Sequence, residues 1–202
     1  MALPRQTPQD EIKRRIRDEA EALFGHYGYA KTAIGDIAKA CGMSPGNIYR
    51  FYRNKQAIAL AVVENYFDEQ AEKMRAARDG ETDPEARLKA TITAGVVHLV
   101  ETMDGNPRIF EMAEFVCNDF EGEAMVRRQT AWKTETLGAI VADGIEAGVL
   151  RPGDPGAVAW SILLATTGFW MPQALIAWHE EAMILDDLAT VLDLVLTGIR
   201  AD

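Results

Sequence analysis

The sequence predicts an all-α fold. A small N-terminal three-helix head carries a helix-turn-helix, and a larger C-terminal helical bundle follows, with about nine helices in total. Three observations predict it. Apolar residues recur at three- and four-residue spacing along nearly the whole chain, and no period-two run bounded by turns appears. The stretch IGDIAKACGMSPGNIYRFYRNK, Ile34 to Lys55, reads as two short helices across a tight turn, ending in a basic anchor. Charge is divided along the chain. Met1 to Gln56 holds ten Lys/Arg against six Asp/Glu, and Ala57 to Asp202 holds eleven against twenty-five, within a net charge of −10 over 202 residues.

The first helix is expected from about Pro8 to Tyr27, with Ile12, Ile16, Ala20, Leu23 and Phe24 on one face. The next begins near Ile34, whose apolar side includes Ile37 and Ala38. Gly42 sits just past its end, where the chain reverses at low steric cost. Ser44 offers an oxygen to cap a new helix and Pro45 suits its first position, so a recognition helix is expected from about Pro45 to Phe51. A fourth helix runs from about Asn54 to Arg78. A fifth starts at Pro84 and carries Leu88, Ile92, Val96 and Leu99 until Gly105-Asn106-Pro107 breaks it. A short helix over about Pro107 to Cys117 and a long one over about Gly122 to Ala147 follow. The eighth enters at Pro155 and reaches about Trp178 with a kink near Pro172, and the last spans about Asp186 to Arg200. The expected domains are 1–53, the helix-turn-helix, and 54–202, with the helix 54–78 as connector.

The recognition helix supplies its own chemistry. Its N-terminus offers free backbone N–H groups and a positive dipole end to a phosphate. Gly46 lets the backbone approach DNA closely, and Asn47 can pair with adenine or bond a phosphate. Arg50 and Lys55 offer phosphate charge. Ile48 and Phe51 read as core, as does Tyr52.

The run Ala22-Leu23-Phe24-Gly25-His26-Tyr27-Gly28-Tyr29 precedes this segment. Thr32, Asp36-Ile37-Ala38, Gly42, Ser44, Gly46, Ile48-Tyr49, Phe51-Tyr52 and Asn54-Lys55 follow in order. This series, over roughly Ile12 to Phe67, resembles the N-terminal domain of the TetR family of transcriptional regulators. The rest of the chain matches only in architecture. The resemblance implies that Tyr49 touches a phosphate or a thymine methyl, that Lys55 is a basic anchor, and that Thr32 is a phosphate-binding hydroxyl. It also implies that the last two helices form a four-helix bundle with a second copy. Ala33 departs from the pattern, since the family often has Ser or Thr there as a helix cap; Thr32 is the nearest hydroxyl that could serve. The DNA-contacting set is therefore Thr32, Ser44, Pro45, Gly46, Asn47, Tyr49, Arg50 and Lys55.

A basic head on an acidic body fits local docking to DNA. The N-terminus is too polar for a secretory signal. The most apolar run, Val158 to Ile176, is interrupted by Ser161, Thr166, Thr167, Gln173 and Pro172, so no membrane span and a cytoplasmic location are expected. Cys41 and Cys117 are placed in different domains and read as buried, inert thiols rather than a disulfide. His26, His98 and His179 are far apart, and no metal-ligand spacing, nucleophile elbow or phosphate-cradling Gly-rich loop occurs. Neither enzymatic activity, a metal nor a cofactor is expected.

The larger domain is expected to hold an effector pocket between its fifth, seventh and eighth helices, drawn from His98, Met103, Phe110, Met112, Phe115, Trp132, Trp160, Thr167, Trp170 and Met171. A small apolar or aromatic effector fits this set. The acid surplus disfavours an anionic ligand unless Arg108, Arg127 or Arg128 lines the site. The combined reading is a homodimeric, ligand-responsive repressor on a palindromic double-stranded operator. The alternatives are a constitutive DNA-binding protein whose larger domain only dimerises, and a helical ligand-binding protein whose head no longer reads DNA. The intact Ser44 to Lys55 run speaks against the last.

Overall fold

The computed structural model describes residues 7–118, 120–178 and 183–201. Among them are ten α-helices and one short 3-10 turn, with a single isolated backbone bridge, Leu150 to Arg200, in place of any strand. The all-α expectation holds. The chain forms two compact units: Met1–Tyr66 with Met103–Met125, and Phe67–Thr102 with Val126–Asp202.

The first unit holds α1 (Pro8–Tyr27), α2 (Ile34–Ala40), α3 (Pro45–Ile48), the start of α4 (Lys55–Asp79) and α6 (Arg108–Val116). Thr7 and Asp10 cap α1 reciprocally. The Thr7 hydroxyl oxygen accepts from the Asp10 N–H at 3.3 Å, and the Asp10 carboxylate accepts from the Thr7 N–H at 3.0 Å. Ile16, Ala20 and Phe24 form the buried face of α1 and share a core with Ile37, Ala38, Ile48, Ile58 and Val62. Helix α6 packs on α1. Arg108 donates to the carbonyls of Gly25 and His26, placing a cation on the C-terminal turn of α1, where carbonyls lack helical partners.

The second unit contains the remainder of α4, most of α5 (Pro84–Gly105) and α7 (Phe120–Glu146), and then α8 (Pro155–Ala165), α9 (Pro172–Trp178) and α10 (Ile184–Ile199). Leu88, Ile92, Val96 and Leu99 are all buried, as their spacing predicts. They share the unit's core with Leu137, Ile140, Val141, Ile162, Leu188, Leu192 and Leu196.

The expected single eighth helix is instead two helices. Thr166 and Thr167 turn their hydroxyls back onto the carbonyls of Ile162 and Leu163, the chain tightens into a 3-10 turn over Thr167–Trp170, and Met171 is extended before Pro172. The residue before proline is driven out of the helical region, so the break precedes Pro172.

Gly95 sits where α5 meets Trp170. A Cβ there would lie 2.7 Å from the six-membered ring of Trp170 and 3.0 Å from the Met74 sulfur. Gly95→Ala should therefore destabilise the protein by about 1–3 kcal/mol through overpacking. Thermal unfolding checks this; an unchanged midpoint would show that Trp170 can yield.

Candidate nucleic-acid interface

The turn between α2 and α3 is built by Gly42, whose φ is +64°. The N–H of Gly42 bonds the carbonyl of Lys39 at 3.1 Å, and that of Met43 bonds Ala38 at 2.8 Å. This pair of bonds closes α2 and requires a left-handed residue at Gly42. The Ser44 hydroxyl oxygen then accepts from the Asn47 N–H at 3.3 Å and starts α3. The helix is shorter than expected: regular geometry ends at Ile48, and tight turns carry the chain through Tyr52. Ile48 is fully buried, and the Tyr52 hydroxyl donates to the Lys13 carbonyl at 3.2 Å, so both face inward.

Ser44, Pro45, Gly46, Tyr49 and Arg50 are exposed, and Asn47 is half-buried. Tyr49 keeps 55% of its surface. A polar, capped helix start with a phenol and a guanidinium beside it can bond phosphates and reach base edges. Lys31, Lys39 and Arg53 lie exposed in the same unit, and Arg53 pairs with Glu121.

Thr32 and Lys55 correct the sequence reading. Thr32 is 2% exposed, and its hydroxyl donates to the Gly28 carbonyl at 3.0 Å, so it faces the core rather than a phosphate. It does not cap α2 either. Ala33 occupies the cap position, and the Asp36 carboxylate accepts its N–H at 2.9 Å. The Lys55 ammonium donates to the carbonyls of Tyr29 and Thr32 at 2.8 and 2.9 Å and lies 4.4 Å over the Tyr29 ring. Two of its three donors are spent holding the α1–α2 connection, which makes it a structural staple rather than a phosphate anchor.

The ten expected pocket residues fall into both units. Met103, Phe110, Met112 and Phe115 belong to the helix-turn-helix unit. Phe115 is exposed, touches Tyr29 and helps line an open groove of about 630 Å³ with Tyr27, Lys55, Arg108 and Met112. Phe110 meets the buried Tyr66 edge to face. His98, Trp132, Trp160, Thr167, Trp170 and Met171 belong to the second unit. His98 is buried and Trp132 and Trp170 are half-buried, whereas Trp160, Thr167 and Met171 are exposed. Arg108 points to α1 rather than to a pocket of the second unit.

Lys133 follows Trp132 on α7. Its ammonium lies 4.0 Å over Trp170, and burial pushes its pKa down to about 8. Burial raises the pKa of the Cys41 thiol, with Glu19 adding to the effect, as an inert thiol requires. Cys117 falls in the same unit as Cys41, not in a separate domain, and the two form no disulfide. His179 lies outside the described residues. No helix among the described residues is long and apolar enough to cross a membrane.

Arg50 and Lys55 should separate in a mutational test. Arg50→Ala should leave the unfolding midpoint unchanged and lower the slope of log affinity against log salt by about one. Lys55→Met should cost about 1–3 kcal/mol of stability, because two carbonyls lose a charged donor. A Lys55→Met protein of unchanged stability with a reduced salt slope would restore the phosphate-anchor role.

Comparison with known proteins matches two stretches of the chain. Residues 16–62 match the family of bacterial regulatory proteins, tetR family, and residues 84–191 match the tetracyclin repressor-like C-terminal domain. The HTH-type transcriptional activator FasR of Mycolicibacterium smegmatis is 29% identical over 161 residues, covering 77% of this chain and 71% of that protein. The fatty acid metabolism regulator protein of Bacillus subtilis is 22% identical over 189 residues, covering 92% and 94%. The crystal structure of FadR from Bacillus subtilis in complex with stearoyl-CoA shares the fold, with a TM-score of 0.67 at 17% identity over 92% of this chain and 98% of that one. These relatives are regulators rather than enzymes. With the helix-turn-helix in place and the C-terminal match alone spanning more than half the sequence, the chain belongs to the TetR family of DNA-binding transcriptional regulators.

Proposed function

We propose that the protein is a cytoplasmic homodimer that places α3 of each copy in the major groove of one half-site of a palindromic operator, represses transcription there, and is released by a small molecule. The observation that carries the DNA-reading part is the exposed, Ser44-capped start of α3 with Tyr49 and Arg50 beside it. Ser44, Pro45, Gly46, Asn47, Tyr49 and Arg50 form the DNA-contacting set. In this reading residues 1–53 read DNA, and residues 54–202 sense the ligand and dimerise. Helix α4 contributes to both compact units, which suits it to carry the signal. A ligand that prefers the state in which the heads are wrongly spaced releases DNA by shifting an equilibrium. The FadR complex with stearoyl-CoA makes molecules with an extended apolar chain the first class to test. FasR, named as an activator, favours a second reading, in which the same machinery recruits transcription instead of blocking it.

The dimer reading rests on apolar side chains that the chain leaves uncovered. Trp160 and Leu164 lie one turn apart on α8 and are 46% and 56% exposed, and Leu194 on α10 is 75% exposed. Gly198, one turn on from Leu194, has open space over it. Leu192, two positions before Leu194 on the same helix, is instead 1% exposed inside its own chain.

Leu194→Asp should split the dimer in light scattering while the monomer stays folded, whereas Leu192→Asp should unfold the chain. A wild-type monomer at micromolar concentration contradicts the dimer. For the sensor, stearoyl-CoA at a hundred times its dissociation constant should stabilise the wild type by about 2.7 kcal/mol in thermal unfolding. No shift with any molecule of this class would favour a constitutive DNA-binding protein.

A further inference from the structure

The open groove of about 630 Å³ lies wholly within the first compact unit and has the size of a small-molecule site. One wall is the end of α1 and the α1–α2 connection, with Tyr27, Tyr29 and Lys31. The other is α6, where Arg108, Glu111, Met112 and Phe115 recur at helical spacing and so share one face. Tyr27 and Phe115 are 55% and 69% exposed. Phe115 meets Tyr29 with ring centres 5.4 Å apart, and Tyr29 meets the buried Phe24 at the same separation. The row of rings thus starts in the core of the head and ends in the groove. Exposed rings gathered along one groove mark a binding surface, where scattered ones do not.

The charge of the lining is opposite to that of the chain as a whole. Lys31, Lys55 and Arg108 face a single carboxylate, Glu111, in a protein of net charge −10. Lys55 is spent on the carbonyls of Tyr29 and Thr32. Arg108 is only partly spent. Its Nη1 alone donates to the carbonyls of Gly25 and His26. Those two bonds hold the guanidinium in place, and among the described residues its Nη2 and Nε donate to nothing. That pair of nitrogens is an edge that a carboxylate takes with two parallel hydrogen bonds. Lys31 is exposed and forms no ion pair with a described residue, so a second cation stands open on the facing wall. Flat ring walls and an open mouth suit a planar aromatic body, since rings gain by stacking or edge contact with rings.

We propose that this groove binds a planar aromatic carboxylate, with its rings against Phe115 and Tyr27 and its carboxylate on Arg108 and Lys31. The site belongs to the DNA-reading unit and does not depend on a sensor pocket in the second unit. It meets the condition under which the sequence admits an anionic ligand, because Arg108 lines it. An occupant would brace α6 against the connection that Lys55 staples and that leads into α2.

Titration calorimetry of the full-length protein with 2-naphthoate and 2-naphthalenemethanol tests it. The wild type should bind the carboxylate about tenfold tighter than the alcohol. Phe115→Ala changes an exposed side chain, so it should weaken both probes about tenfold and leave the unfolding midpoint unchanged. Arg108→Lys keeps the charge but loses the two-nitrogen edge. It and Lys31→Gln should each weaken the carboxylate alone, the unchanged alcohol affinity showing that the groove is intact. Glu111→Gln removes the one lining carboxylate and should tighten 2-naphthoate alone. Equal affinity of the wild type for the two probes overturns the assignment, and so does no binding of either at millimolar concentration. Binding that Phe115→Ala leaves unaltered also overturns it, by placing the ligand elsewhere, and leaves a sensor in the second unit standing.

Discussion

The recognition segment Pro45–Ile48 is too short to hold a helical shape by itself, since the first turn of a helix is the unfavourable one to form. Its conformation is imposed from outside. Gly42 reverses the chain, Ser44 caps the new turn, Ile48 is driven into the core, and the Tyr52 hydroxyl ties the far end to α1. The exposed groups of this segment are therefore only as well placed as the core beneath them.

Two lysines show how the same side chain meets different surroundings. Lys55 is satisfied: two carbonyls and the Tyr29 ring take its charge, and the α1–α2 connection is fixed in return. Lys133 lies over an indole face, as Arg75 does over Trp132, and burial lowers its pKa. The contrast lies in what surrounds each ammonium.

Periodicity made much of this architecture legible. The buried face of α5 and the capped start of α3 follow from spacing and from residue types that serve one local purpose. The errors share a different cause. Thr32 and Lys55 carry groups that suit a phosphate, but the carbonyls that claim them come from Gly28, Tyr29 and Thr32 in a loop whose path no pattern encodes. Leu192 and Leu194 are equally apolar, and only packing decides which is core. The break before Pro172 began earlier than the proline alone indicates, because Thr166 and Thr167 bond back to the preceding turn. Helix α6 belongs with the head by contact although it follows α5 in the chain. Long-range contact, not local preference, separates the legible from the illegible here.

The central claim is that this head reads DNA as one half of a two-fold symmetric pair. Enrichment of bound duplexes from a random-sequence pool with the full-length protein, followed by sequencing, tests it directly. The account predicts a palindromic motif whose half-sites lie about one helical turn, or a small multiple of it, apart. A pool with no enriched sequence, or an enriched motif with no two-fold symmetry, would contradict it.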